Sequence, residues 1–182
     1  EGSLLMIWGA AMKKEMYLLL IVVLMSFTSC SKKDAYNPKE LGSNDYPFAL
    51  ETMQKIVTAF DEEDSEALVE MFSDSARESY DIEGQIEKAL EYYNGKSINS
   101  VDELTFCENA STHIKDGSYK YKAIEFELYN IETDTGNSYS LVVVYVLVDE
   151  DNPSRIGLSK IYFKDPEDNV GFELAIGANL KE

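Results

Sequence analysis

The chain has 182 residues, 34 of them acidic and 16 basic, giving a formal net charge of −18 with a single histidine. Such acidity excludes a nucleic-acid binder, because phosphate backbones are held by clustered Lys and Arg. It also argues against docking of the folded surface on anionic lipid. Cys30 and Cys107 are the only cysteines, too few for a disulfide framework.

Residues 1–11, EGSLLMIWGAA, precede a pattern that is complete by itself from Met12, and are read as an upstream extension outside the fold. Lys13 and Lys14 give a positive start, Met16 to Phe27 an apolar core, and small Thr28 and Ser29 precede Cys30. That is the layout of a secretory signal over residues 12–29. Its apolar core reaches about 18 Å as a helix, short of a bilayer core of roughly 30 Å. An uncleaved membrane anchor is therefore the weaker alternative.

The segment SFTSC resembles a bacterial lipoprotein signal, with Phe27 where an aliphatic residue is usual. The resemblance implies a diacylglycerol thioether on Cys30, with a further acyl chain such as palmitate on its amine. Two chains suffice for stable anchoring, whereas one is marginal. The expected location is the outer face of the cytoplasmic membrane, reached through the lipid on Cys30. Residues 30–45 are polar, include Pro38 and Gly42, and read as a tether.

The rest, residues 46–182, reads as one α+β domain. In YPFALETMQKIVTAF, Leu50, Met53, Ile56, Val57 and Phe60 recur at helical spacing, and Pro47 suits a first turn. DEED ends this helix, and Asp64 or Ser65 can cap the next, SEALVEMFS, which carries Leu68, Met71 and Phe72. A third helix, DIEGQIEKALEYYNG, places Ile82, Ile86, Leu90 and Tyr93 on one face. Asp81 is its candidate cap, Gly95 its stop, and Gly84 a site of close backbone approach.

From residue 103 the apolar period changes to two. In YKYKAIEFELYN, Ile124, Phe126 and Leu128 share one face, while Tyr121, Ala123, Glu125, Glu127 and Tyr129 share the other. DTGN, residues 134–137, is a hairpin turn by chemistry. SLVVVYVLV is apolar on both faces and predicts a central strand covered twice. RIGLSKIYFK and VGFELAI follow as further strands. Helices followed by strands predict helices packed on one face of an antiparallel sheet.

The segment ALETMQKIVTAFDEEDSEALVEMFSDSARE resembles the opening of the nuclear transport factor two superfamily, the cystatin-like or ketosteroid-isomerase-like cone. The likeness lies in Asp64, Ala67, Leu68, Met71, Phe72 and Ser73, in a helix ending YYNG, and in the β-meander after it. More narrowly, the chain is similar to uncharacterised lipoproteins of Clostridia-type bacteria. The resemblance implies three N-terminal helices on a strongly curved sheet, with a pocket at the open end. It transfers no catalytic residue.

Tyr92, Tyr93, Tyr129 and Tyr145 are candidates to line such a pocket; packing against the sheet is the competing role. Cys107 and His113 lie about 20 Å apart if both belong to one strand, too far to act together. One His and one Cys cannot furnish a zinc site. DEEDSE, DEDN and DPEDN are oxygen-rich, but none has the spacing of a calcium loop. No cofactor is expected.

The leading expectation is a non-catalytic, lipid-anchored module that binds a small apolar ligand or a protein partner. The rivals are an enzyme using a buried carboxylate and a tyrosine, and a structural module that pairs into a homodimer.

Overall fold

The computed structural model describes residues 36–101, 105–164 and 171–179. The signal segment, Cys30 and the first part of the tether lie outside the described residues, as does the side chain of Cys107. The fold is α+β: four helices pack against an antiparallel sheet of five strands in the order β1-β2-β3-β4-β5. The helices are α1 (Tyr46–Asp61), α2 (Ser65–Met71), α3 (Asp74–Ser79) and α4 (Ile82–Tyr92). The strands are β1 (Thr105–Lys115), β2 (Ser118–Glu132), β3 (Ser138–Asp149), β4 (Gly157–Lys164) and β5 (Phe172–Ile176).

The three expected helices become four. α3 occupies the link SDSARES, where Ser73 turns its hydroxyl oxygen onto the Ala76 N–H at 3.3 Å. The segment buries only Ala76, so it has no apolar stripe by which periodicity can detect it. α4 stops at Tyr92, because Tyr93 is already extended (φ −76°, ψ 105°) and turns inward. The cap signals otherwise hold: Asp64 accepts from Ala67 N–H at 2.9 Å and Asp81 from Gly84 N–H at 3.2 Å. A Cβ on Gly84 would lie 2.5 Å from an Asp81 carboxylate oxygen. The close approach at this glycine is thus its own helix cap rather than a neighbouring backbone.

β1 extends well beyond LTFCEN. As the edge strand its residues 109–115 are exposed, so no apolar alternation marks them. β3 is the central strand, with Leu141 and Val143 buried on one face and Val142 and Val146 on the other. Val142 stands between its register partners Glu127 and Tyr162, whose long side chains shield it. The β2–β3 turn is closed by Thr133 N–H on the Asn137 carbonyl at 2.9 Å, with Gly136 at φ 83°. A register shift interrupts every strand pair, and β2–β3 has two, at Lys122/Ala123 and Leu128/Ile131.

One core joins helices and sheet: Met53, Ile56 and Phe60 of α1, Leu68 of α2 and Ile86 of α4 meet Phe126, Leu128, Leu141 and Phe163. Phe60 and Phe163 cross edge to face at 5.4 Å between centroids. The α2–α3 link is stitched to β4 by the Ser73 N–H on the Leu158 carbonyl at 2.9 Å. Gly157, at φ 131°, permits this: a Cβ there would sit 3.1 Å from the Ser73 backbone.

Candidate functional site

A group of ionisable side chains that includes the buried Lys122 and Asp45 lies where residues 36–45 cross β2. Lys122, on the helix-facing side two residues before Ile124, is only 2% exposed. Its ammonium donates to Ser43 Oγ at 2.8 Å and to Asp45 Oδ1 at 2.8 Å, with Asp45 Oδ2 at 2.6 Å. Asp45 Oδ1 also accepts from the Tyr36 hydroxyl at 2.7 Å. The Tyr119 ring lies under the ammonium at 4.6 Å, and Tyr36 stacks on Phe48 at 5.7 Å.

Burial, then the hydrogen bond to Asp45, pushes the Tyr36 phenol far up. Partial burial, then the Asp45 charge, raises the Glu108 carboxyl, and Lys122 partly offsets this. Asp45 begins α1 yet caps nothing, since its carboxylate is committed to Lys122. Residues 36–45, expected within the tether, therefore lie on the folded unit, which begins at Tyr36.

A second carboxylate–tyrosine pair joins α1, α4 and the loop after it. Tyr93 donates to Asp61 Oδ1 at 2.8 Å, the Ser97 N–H reaches the same oxygen at 2.8 Å, and the Ser97 hydroxyl takes Oδ2. Burial followed by the Asp61 hydrogen bond raises the Tyr93 phenol strongly. Tyr139 donates to the Tyr92 carbonyl at 3.0 Å and accepts from Asn94 N–H at 2.9 Å. Each group here spends its polar capacity on closing the α4 exit.

The four candidate tyrosines thus fall in three places rather than around one pocket. Tyr92 and Tyr93 join Tyr139 in one aromatic cluster. Tyr145 packs edge to face on Phe48 at 5.0 Å. Tyr129 lies on the opposite face of the sheet, beside Glu127 and Lys164, whose ammonium is 3.2 Å from its hydroxyl. The separation has a simple cause: residues 129 and 145 sit on strands with opposite pointing, which composition cannot reveal.

His113 is exposed on β1, and no three His, Cys, Asp or Glu among the described residues gather as a metal site. Nor is any helix among them long and apolar enough to cross a membrane. The chemistry-bearing residues that sequence reasoning passed over are Lys122, Asp45, Asp61 and Ser97. A lysine in the same alternation as Ile124, Phe126 and Leu128 is the signal that was available for the first; the others meet only through the fold.

Compared with known proteins, the chain matches a family model described as a domain of unknown function, DUF5104, over residues 55–170. No curated protein matches it.

Proposed function

The chain belongs to the DUF5104 family; from its own residues we propose an exported lipoprotein, anchored through Cys30, whose folded part binds a partner molecule and performs no reaction. One observation carries the non-catalytic reading. These two carboxylate–tyrosine pairs are consumed internally, Asp45 by Tyr36, Ser43 and Lys122, and Asp61 by Tyr93 and Ser97, and a third, Glu127 with Tyr129, is held by the Lys164 ammonium at 2.7 Å. A general base must present a free lone pair to substrate within hydrogen-bond reach. The raised phenols, moreover, stay protonated at neutral pH.

The anchoring reading rests on the Lys13–Cys30 pattern and on how soon after it the folded unit begins. In this reading the lipid holds the domain close to the membrane while the −18 charge keeps its surface off anionic headgroups. We also read the open sheet as the curved half of a nuclear-transport-factor-two-like cone. In support, its strand pairs are interrupted by register shifts, and bulges bend strands and increase their twist.

The Cys30→Ser variant tests the anchor. It should leave the membrane fraction and lose incorporation of labelled palmitate; membrane retention without label would instead establish the uncleaved helix. Mass spectrometry of molecules co-purifying with the native protein tests the binding role.

The enzyme reading keeps one specific support, the 2.8 Å contact between Tyr93 and Asp61. It requires a substrate to displace Ser97 from that carboxylate.

A further inference from the structure

A groove of about 280 Å³ runs between α3 and β4. Ser73, Ser75, Ser79 and Tyr80 line it from the helix side, and Arg155, Ser159 and Lys160 from the sheet side. None of its lining residues is acidic. In a chain with 34 acidic residues that is a departure from the rest of the surface. Two other grooves among the described residues both contain carboxylates: Glu51, Glu62 and Asp64 in the one between α1 and α2, Glu173 in the one beside β5.

The donors around the groove are unspent. Among the described residues, the hydroxyls of Ser75, Ser79, Tyr80 and Ser159 and the Lys160 ammonium have no hydrogen-bond or ion-pair partner. Ser73 accepts the Ala76 N–H and keeps its own proton to give. Arg155 Nη1 stands 3.3 Å from Asp149 Oδ2. The contact is an ion pair without hydrogen-bond geometry, so the buried Asp149 carboxylate offsets the Arg155 charge while the guanidinium N–H groups remain to be given. Hydroxyls on two walls, with the Lys160 ammonium and the Arg155 N–H groups at the sheet side, suit a tetrahedral anion, whose several oxygens accept from different directions. A flat carboxylate would engage few of them. The overall negative charge is no obstacle, because at physiological salt fields decay within about 8 Å and the local cations decide.

We propose that this groove binds the phosphate group of a small soluble molecule, with Lys160 supplying charge and the Arg155 N–H groups and the serine and tyrosine hydroxyls supplying direction. This rests on the reading of the domain as a binding module and names the ligand class that the module takes.

The test is calorimetric titration of the full chain in detergent with inorganic phosphate and, separately, glycerol 3-phosphate, with acetate as control. Saturable binding of either phosphate and none of acetate is expected, and the tighter of the two distinguishes free phosphate from a phosphomonoester. Lys160→Gln should weaken it about tenfold or more, the cost of one charge-assisted hydrogen bond. Lys88→Gln, in the groove beside β5, should leave it unchanged, and matching thermal melts of the two variants would confirm intact folds.

Absence of saturable phosphate binding overturns the proposal, as does equal affinity in Lys160→Gln. Binding to anionic phospholipid vesicles without binding to the soluble phosphates overturns it as well. If a different ligand co-purifies while phosphate fails, the anion site falls and the binding module stands. If the protein hydrolyses glycerol 3-phosphate, the non-catalytic reading falls instead.

Discussion

Two lysines of one sheet have opposite fates. Lys122 on β2 is buried with its ammonium fully engaged by Ser43, Asp45 and the Tyr119 ring. Lys160 on β4 is half-exposed beside a groove rich in hydroxyls, and pairs with no carboxylate among the described residues. A charge taken out of water must bring its partners with it, and once paired it has nothing left to offer a ligand. Polar groups left at a partly open surface cost little in stability and remain available. The contrast separates what holds this fold together from what faces the outside.

The largest test removes the buried member. Lys122→Met leaves the Asp45 carboxylate uncompensated and should cost about 3–5 kcal/mol in urea denaturation. Adding Asp45→Leu should recover most of that loss, since replacing both partners by apolar groups is often neutral. Failure of the double variant to recover would show that Asp45 has a further duty. Phosphate affinity in the double variant should match that of the native chain, which keeps the two lysines' roles apart.

A smaller effect is expected at the second knot. Tyr93→Phe removes one donor from Asp61, which retains the Ser97 N–H and hydroxyl. A loss of about 1–2 kcal/mol is expected by thermal or chemical denaturation. A much larger loss would mark the tyrosine hydroxyl as the element on which the α4 exit depends.

The smallest concerns Glu108, whose carboxyl is raised above its ordinary value by burial and by Asp45. A raised carboxyl favours the fold in its protonated form. Its contribution is therefore complete below the ordinary Glu range and lost as pH rises through the folded value. Glu108→Gln should then gain on the native protein as pH rises from the ordinary Glu range, and level off above the raised folded value. Denaturation curves at several pH values read this directly, and a flat difference would remove Glu108 from the Lys122 cluster.

Much of the architecture was legible wherever a one-sided apolar pattern existed. Met53, Ile56 and Phe60 at helical spacing marked α1, and Ile124, Phe126 and Leu128 in alternation marked β2 together with its buried face. Asp64 and Asp81 announced their caps, because a capping carboxylate acts on the next few residues of its own chain. α3 and the outer half of β1 were not legible, since neither buries a periodic stripe. The places of the tyrosines were not legible for a related reason: a tyrosine serves equally as core filler, staple or surface ring, and only its neighbours decide among these.

The sequence by itself determined that helices precede strands, the central place of β3 and the strong net negative charge, because these depend on local pattern and on sums over residues. Only the tertiary structure decided that Asp45 answers to Lys122 instead of capping α1. It alone paired Asp61 with Tyr93, and brought Ser75 and Ser79 opposite Arg155 and Lys160. Those pairings join residues tens of positions apart. Their energies arise from removing water around both partners at once, which no stretch of chain can express until it is folded against the other.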